Sequence, residues 1–287
     1  MVAPFSGETL LNERLVAYLD ELDERTDWHR PDAFLVRADA ADRLDLGQVG
    51  LRDATLTRRV VRLLDALDAV DRQLYDALRE RIRAGEGRQA LAPWLDVGIP
   101  SGQHYDPLDA LLAGVLALDE PLPDAGPLPP EMVFYQPTPA RHIVDGLARG
   151  GITAGDVVLD LGSGLGHVPL LVHILTGARC IGIERDGGYV DVATRAATSL
   201  GLTGVRFVEG DAREADFSGV DVFYLFTPFI GTVLRDVVAR IEAEAARRAV
   251  RVVALGPCTR TFARQPWLVS DDPDPEAAER IVLFRSV

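Results

Sequence analysis

One stretch limits what this chain can fold into more than any other: Val157-Val158-Leu159-Asp160-Leu161-Gly162-Ser163-Gly164-Leu165-Gly166-His167. An apolar, β-branched run of this length reads as a buried strand, and glycine at every second position after it reads as a turn. The residues from His167 to Thr176 then carry the pattern of a helix. Strand, glycine turn and helix in that order form the opening unit of a doubly wound sheet, in which ligands bind beyond the carboxyl ends of the strands. Glycines at that place let the backbone approach a ligand closely, and the free amides at the helix start favour a negative group.

The same rhythm continues along the second half of the chain. Short strands are predicted at 157–161, 179–184, 205–208, 220–226 and 252–255, with helices at 139–149, 167–176, 189–200 and 231–248. Alternation of this kind predicts an α/β fold with a parallel sheet covered on both faces. Residues 267–270 and 281–285 are joined by an acidic loop with no room for a crossover helix. They are expected to form a hairpin that closes the sheet with an antiparallel strand.

The loop does not suit a dinucleotide. The spacing is G-x-G-x-G, with His167 where a dinucleotide fingerprint wants its last glycine, and Asp160 at the strand end would repel a pyrophosphate. A carboxylate there suits a ligand with an ammonium group and no phosphate, such as the methionine part of S-adenosylmethionine. Glu184 ends the second strand, 18 residues after Gly166, where a carboxylate can accept ribose hydroxyl protons. Asp211, with Ala212 beside it, follows the third strand within reach of an adenine amino group. The ordered set Asp160, Gly162, Ser163, Gly164, Gly166, Glu184 and Asp211 is therefore a candidate site for that ligand.

The first half of the chain has a different texture. Apolar residues recur at helical spacing from Leu10 to Leu22 and from Val60 to Ile82, with Thr57 a candidate cap and Gly85 a stop for the second run. Pro107 suggests the start of a third helix. We expect a helical N-terminal domain over 1–118, a proline-rich linker over 119–130 and the α/β domain over 131–287. The N-terminal helices are expected to recognise the second substrate or to mediate a homodimer.

A net charge of −14 with 7% aromatic residues argues against broad nucleic-acid binding. All 30 basic residues are arginine. Neither a bilayer span nor a signal peptide is expected, which makes a cytoplasmic location the default. Cys180 and Cys258 read as reduced thiols, and the five histidines show no metal-ligand spacing with them, so no metal is expected.

From the glycine loop and its carboxylates onward, residues 131–287 resemble the class I, seven-strand S-adenosylmethionine-dependent methyltransferases. The resemblance implies a Rossmann-like sheet of order 3-2-1-4-5-7-6 with the last strand antiparallel. It places Asp160 and the glycine loop on the methionine part, Glu184 on the ribose and Asp211 on the adenine, and implies S-adenosyl-L-homocysteine as product. Phe134-Tyr135-Gln136-Pro137-Thr138-Pro139 also resembles the segment before the first strand of the non-SET protein lysine methyltransferases, where a tyrosine covers the cofactor. His167 departs from the asparagine or arginine of that group.

Methyl transfer needs alignment and exclusion of water more than it needs catalytic side chains. Thr227-Pro228-Phe229, after the fourth strand, resembles the acceptor turn of amino-directed methyltransferases with threonine in place of its polar residue. This departure counts against DNA-base methylation. Tyr135, Thr227, Pro228 and Phe229 are thus the candidate acceptor residues, with His142 and His167 as further proton acceptors and Thr259 and Thr261 at the pocket edge. The expected acceptor is a protein, with lysine favoured by Tyr135. A small-molecule N- or O-acceptor and a non-catalytic S-adenosylmethionine-binding module are the alternatives.

Overall fold

The structure, a computed structural model, describes residues 6–95, 105–118 and 131–287. The chain divides into two compact units, Met1–Ala77 and Leu78–Val287. The division falls inside one long helix, earlier than the proline-rich segment 119–130, which lies outside the described residues.

In the first unit, helices α1 (Ser6–Glu24) and α2 (Phe34–Gln48) pack with the start of α3 (Ala54–Arg83). Leu19, Leu22, Leu44, Val60, Leu63 and Leu67 form its core at the helical spacing that the sequence shows. Asp53, and not Thr57, caps α3: its carboxylate accepts from the amides of Thr55 and Leu56 at 2.7 and 3.0 Å. Thr57 lies one turn inside and donates back to the Asp53 carbonyl. Gly85, at φ +80°, follows the helix end as expected.

In the second unit, α4 (Gly87–Leu91), α5 (Pro107–Leu116) and α6 (Ala140–Gly150) precede the sheet. Asp106 caps α5 in a capping box with Asp109, behind the proline that marks the helix in the sequence. The alternation that follows is β1 (Val157–Leu161), α7 (His167–Thr176), β2 (Arg179–Glu184), α8 (Gly187–Ser199), β3 (Val205–Glu209), β4 (Val222–Phe226) and α9 (Gly231–Ala245). The chain ends with β5 (Arg251–Leu255), the short α10 (Thr259–Ala263), β6 (Leu268–Val269) and β7 (Val282–Ser286). The sheet order is 3-2-1-4-5-7-6. Strands β1 to β5 run parallel, and β7 is antiparallel to both β5 and β6.

At three element ends that differ from expectation, a side chain bonds backbone groups nearby. Strand β4 starts at Val222, later than expected, because Asp221 turns its carboxylate to the Val157 amide at 2.8 Å. Helix α8 starts early, at Gly187, because Asp186 caps the amides of Gly188 and Tyr189. Helix α9 stops at Ala245, and Arg248 beyond it donates to the carbonyls of Phe217 and Val220. The central core is a layer of Leu159, Phe223, Leu225, Val237, Ile241 and Val252 between the sheet and its helices. It holds the carboxyl ends of β1, β2 and β4 at one rim.

Candidate functional site

At that rim lies a cavity of about 1180 Å³. It is walled by the turns after β1, β2, β3 and β4 and by the extended segment 131–138. Tyr135, Asp160, Gly162, Ser163, Glu184, Asp211, Ala212, Thr227, Pro228 and Phe229 all reach its wall.

The glycine loop is shaped by close approaches as much as by its φ values of +81°, +50° and +85° at Gly162, Gly164 and Gly166. A β-carbon on Gly162 would lie 2.2 Å from Cβ of Pro228, and one on Gly164 would lie 2.0 Å from Cε2 of Tyr135. At Gly166 the neighbour is Phe207, 2.5 Å from such an atom. Gly164 and Gly166 therefore sit behind side chains rather than on the cavity wall, and only glycine leaves room for those rings. Tyr135 leans on Gly164 and Tyr189, whose ring centroid is 4.8 Å away, and its hydroxyl lies 3.4 Å from Nδ1 of His167. Burial in this contact lowers the His167 pKa to about 4, so the imidazole is neutral.

Asp160 is buried, with 4% of its surface exposed, and its carboxylate accepts no hydrogen bond from any described residue. Loss of hydration, and then repulsion by Glu184, pushes its pKa well above the usual carboxylate range. Ser163 beside it is also buried, and its Oγ has no partner among the described residues. A positively charged hydrogen-bond donor entering the cavity would relieve both groups. An ammonium group fits this requirement.

Glu184 holds the loop in place. Its Oε2 accepts from the Gly164 amide at 2.8 Å, and its Oε1 accepts from the amides of Arg185 and Asp186. A carboxylate offers about four lone-pair directions, so positions remain for ribose hydroxyls. Asp211 differs: Arg213 grips its carboxylate through Nη2 at 2.6 Å and holds its pKa down at about 2. An adenine amino group would share this carboxylate with Arg213.

The turn after β4 is built around Thr227, a non-glycine residue at φ +37°. A β-branched residue in that region is strained by about 1–3 kcal/mol. Its hydroxyl offsets the strain by donating to the Leu255 carbonyl at 2.9 Å and accepting from the Cys258 amide at 3.0 Å. Thr227 thus locks the ends of β4 and β5 together, and Pro228 and Phe229 shape the wall.

Other sequence candidates lie elsewhere. His142 is buried in α6, His173 bonds the Ala178 carbonyl at 2.7 Å, and Thr259 bonds carbonyls of its own turn and of Glu276. Met132, Tyr189, Glu209 and Ile230 also line the cavity, and sequence reasoning missed them. Only the position of Glu209 at the end of β3 could have signalled a role.

No family model matches the chain. It is similar to a sterol 24-C-methyltransferase of Eremothecium gossypii, at 35% identity over 79 residues, 27% of this chain and 21% of that protein. The chain thus spans about a fifth of the length of that curated relative. Among solved structures it is similar to an RNA methyltransferase from Salinibacter ruber in complex with S-adenosyl-L-homocysteine. That likeness has 26% identity and a TM-score of 0.42 over 53% of this chain and 92% of the other. An S-adenosylmethionine-dependent methyltransferase from Thiobacillus denitrificans, also holding S-adenosyl-L-homocysteine, matches at 26% identity over 40% and 47% of the two chains, with a TM-score of 0.35. The sheet order and the antiparallel β7 are those of the class I methyltransferase fold.

Proposed function

We propose that the chain is an S-adenosylmethionine-dependent methyltransferase. The observation that carries this reading is Asp160: a buried carboxylate at the end of β1, without a hydrogen-bond partner among the described residues, against a glycine turn and beside Glu184. Such a group asks for a cationic ligand and counts against a pyrophosphate. Similarity to a curated methyltransferase supports the same reading.

S-adenosylmethionine supplies a sulfonium-bound methyl group, which an acceptor lone pair takes as the carbon–sulfur bond breaks, its electrons return to sulfur and any displaced proton goes to water. In this reading Asp160 and Ser163 receive the ammonium end, Glu184 the ribose, and Asp211 with Ala212 the adenine. Tyr135 closes over the glycine loop and keeps water out. Pro228 and Phe229 fix the direction from which the acceptor approaches, and Thr227 keeps that turn rigid.

The acceptor is proposed to be a protein or a small molecule. The net charge of −14 opposes a nucleic-acid acceptor. Among the described residues no helix is long and apolar enough to cross a membrane, and no His, Cys, Asp and Glu cluster could hold a metal. We keep a cytoplasmic location and metal-free chemistry as parts of the proposal.

Calorimetric titration tests it. S-adenosyl-L-homocysteine is expected to bind and NAD to show no heat, while Gly164→Val, which drives a side chain into Tyr135, abolishes binding. Binding of NAD in place of S-adenosyl-L-homocysteine would sink the reading.

A further inference from the structure

The cavity has two chemically different halves. Every charged side chain on its wall, namely Asp160, Glu184, Arg185, Asp186, Glu209 and Asp211, stands at or just after the ends of β1, β2 and β3. The other half lies between 132–134 and the turn 227–230, and no charged side chain among the described residues lines it. Its walls are the buried Phe229 and Val233 with Met132 and Pro228.

Several polar groups near that half already have partners. Thr227 gives its hydroxyl to Leu255 and Cys258. The Pro228 carbonyl accepts from the Val133 amide at 3.2 Å, and the Glu131 carbonyl accepts from Ile230 at 2.9 Å. The Glu131 carboxylate is turned away onto the start of α9, where it accepts from Thr232 and Val233. At the rim, Phe134 is 78% exposed, Ile230 50% and Val133 41%. Three large apolar side chains left in water at one cavity mouth mark a surface that something apolar covers.

From this division we infer that the methyl acceptor is an uncharged, largely apolar small molecule, seated between Phe134 and Ile230 at the mouth and Phe229 within. The inference rests on the methyltransferase reading and names its second substrate. A phosphate would meet no arginine in this half, and a lysine ammonium would meet no free carboxylate there, so either would lose its water without replacement. An apolar body gains from the same walls by leaving water.

The test uses the full chain and begins with S-adenosyl-L-homocysteine calorimetry. Absence of binding overturns both readings together. With binding established, fluorescence titration with Nile red, an uncharged apolar dye, is expected to show saturable uptake. Phe134→Arg, which sets a cation at the mouth, is expected to weaken that uptake about ten-fold. The affinity for S-adenosyl-L-homocysteine should not change. In parallel, an extract of the source cells is incubated with the protein and S-adenosylmethionine carrying a labelled methyl group, and label is expected in the organic-solvent fraction. Label in the protein or nucleic-acid fraction overturns the inference and leaves the methyltransferase reading standing. Nile red uptake that Phe134→Arg leaves unaltered overturns it as well.

Discussion

Asp160 and Asp211 both sit just inside or just past a strand end, yet their surroundings move them in opposite directions. Arg213 keeps Asp211 charged down to a pH of about 2, whereas Asp160, stripped of water and facing Glu184, is held toward its neutral form. A carboxylate whose pKa is raised in the folded state binds more protons folded than unfolded. Stability from this group is then greatest below the ordinary value of 3.8 and falls as pH rises from there through the elevated folded value. Asp160→Asn keeps the shape and removes this penalty. Its melting temperature is expected to exceed the parent's at pH of about 7, with the gap narrowing as pH falls toward about 4. S-adenosyl-L-homocysteine should raise the parent's melting temperature and barely move that of the variant. A pH-independent gap in thermal melts would show that burial of the Asp160 charge is not its source. The sequence placed both carboxylates at the site because strand ends follow from hydrophobic pattern. It could not show that one would find an arginine and the other none, since that depends on how the turns fold back.

At the scale of elements, segment 131–138 has no secondary structure beyond a single bridge from Met132 to Phe229, yet it forms one wall of the cavity. Its anchor is Glu131, whose side chain supplies acceptors that the first amides of α9 lack. Glu131→Ala is expected to loosen the segment without unfolding the sheet. Hydrogen exchange should quicken at the amides of Val133 and Ile230, which bond Pro228 and Glu131, while β1 and β4 amides stay protected. Unchanged exchange at Val133 would mean that Tyr135, resting on Gly164, and Tyr105, bonded to Pro137, hold the segment without Glu131. None of this was legible as periodicity: the segment is short and aperiodic, and the partners of Glu131 on α9 lie about a hundred residues away in sequence. Only the motif around Tyr135 drew attention to it. The strands and long helices were legible because each buries a face, and their ends shifted where Asp53, Asp186, Asp221 and Arg248 found backbone partners.

The whole molecule divides into its two compact units inside α3. Proline density marks 119–130, but α3 runs on with one unbroken apolar stripe from Val60 to Ile82, and no pattern in it says where one core ends and another begins. The arginines make the assignment. Arg79 donates to the Val115 carbonyl at 2.9 Å and Arg83 to the Ser199 carbonyl at 2.8 Å, so the last turns of α3 belong with the sheet. Gly87 lies so near α7 that a β-carbon there would be 2.6 Å from Cγ2 of Ile174. Helix α5 buries Leu108, Leu111, Leu112, Val115 and Leu116, and Asp109 accepts from the amide of Ala140 at the start of α6 at 2.7 Å. Tyr105 donates to the Pro137 carbonyl at 2.8 Å and so steadies the segment that carries Tyr135. A chain beginning at Glu131 would lose all of this, at about 2 kcal/mol for each buried leucine. We therefore expect a chain beginning at Leu78 to bind S-adenosyl-L-homocysteine like the parent. One beginning at Glu131 should melt lower and bind more weakly, because the backing of Tyr135 is gone. Equal melting temperatures and affinities for the two would place the boundary at the prolines after all, and would make residues 78–118 an appendage rather than part of the binding unit.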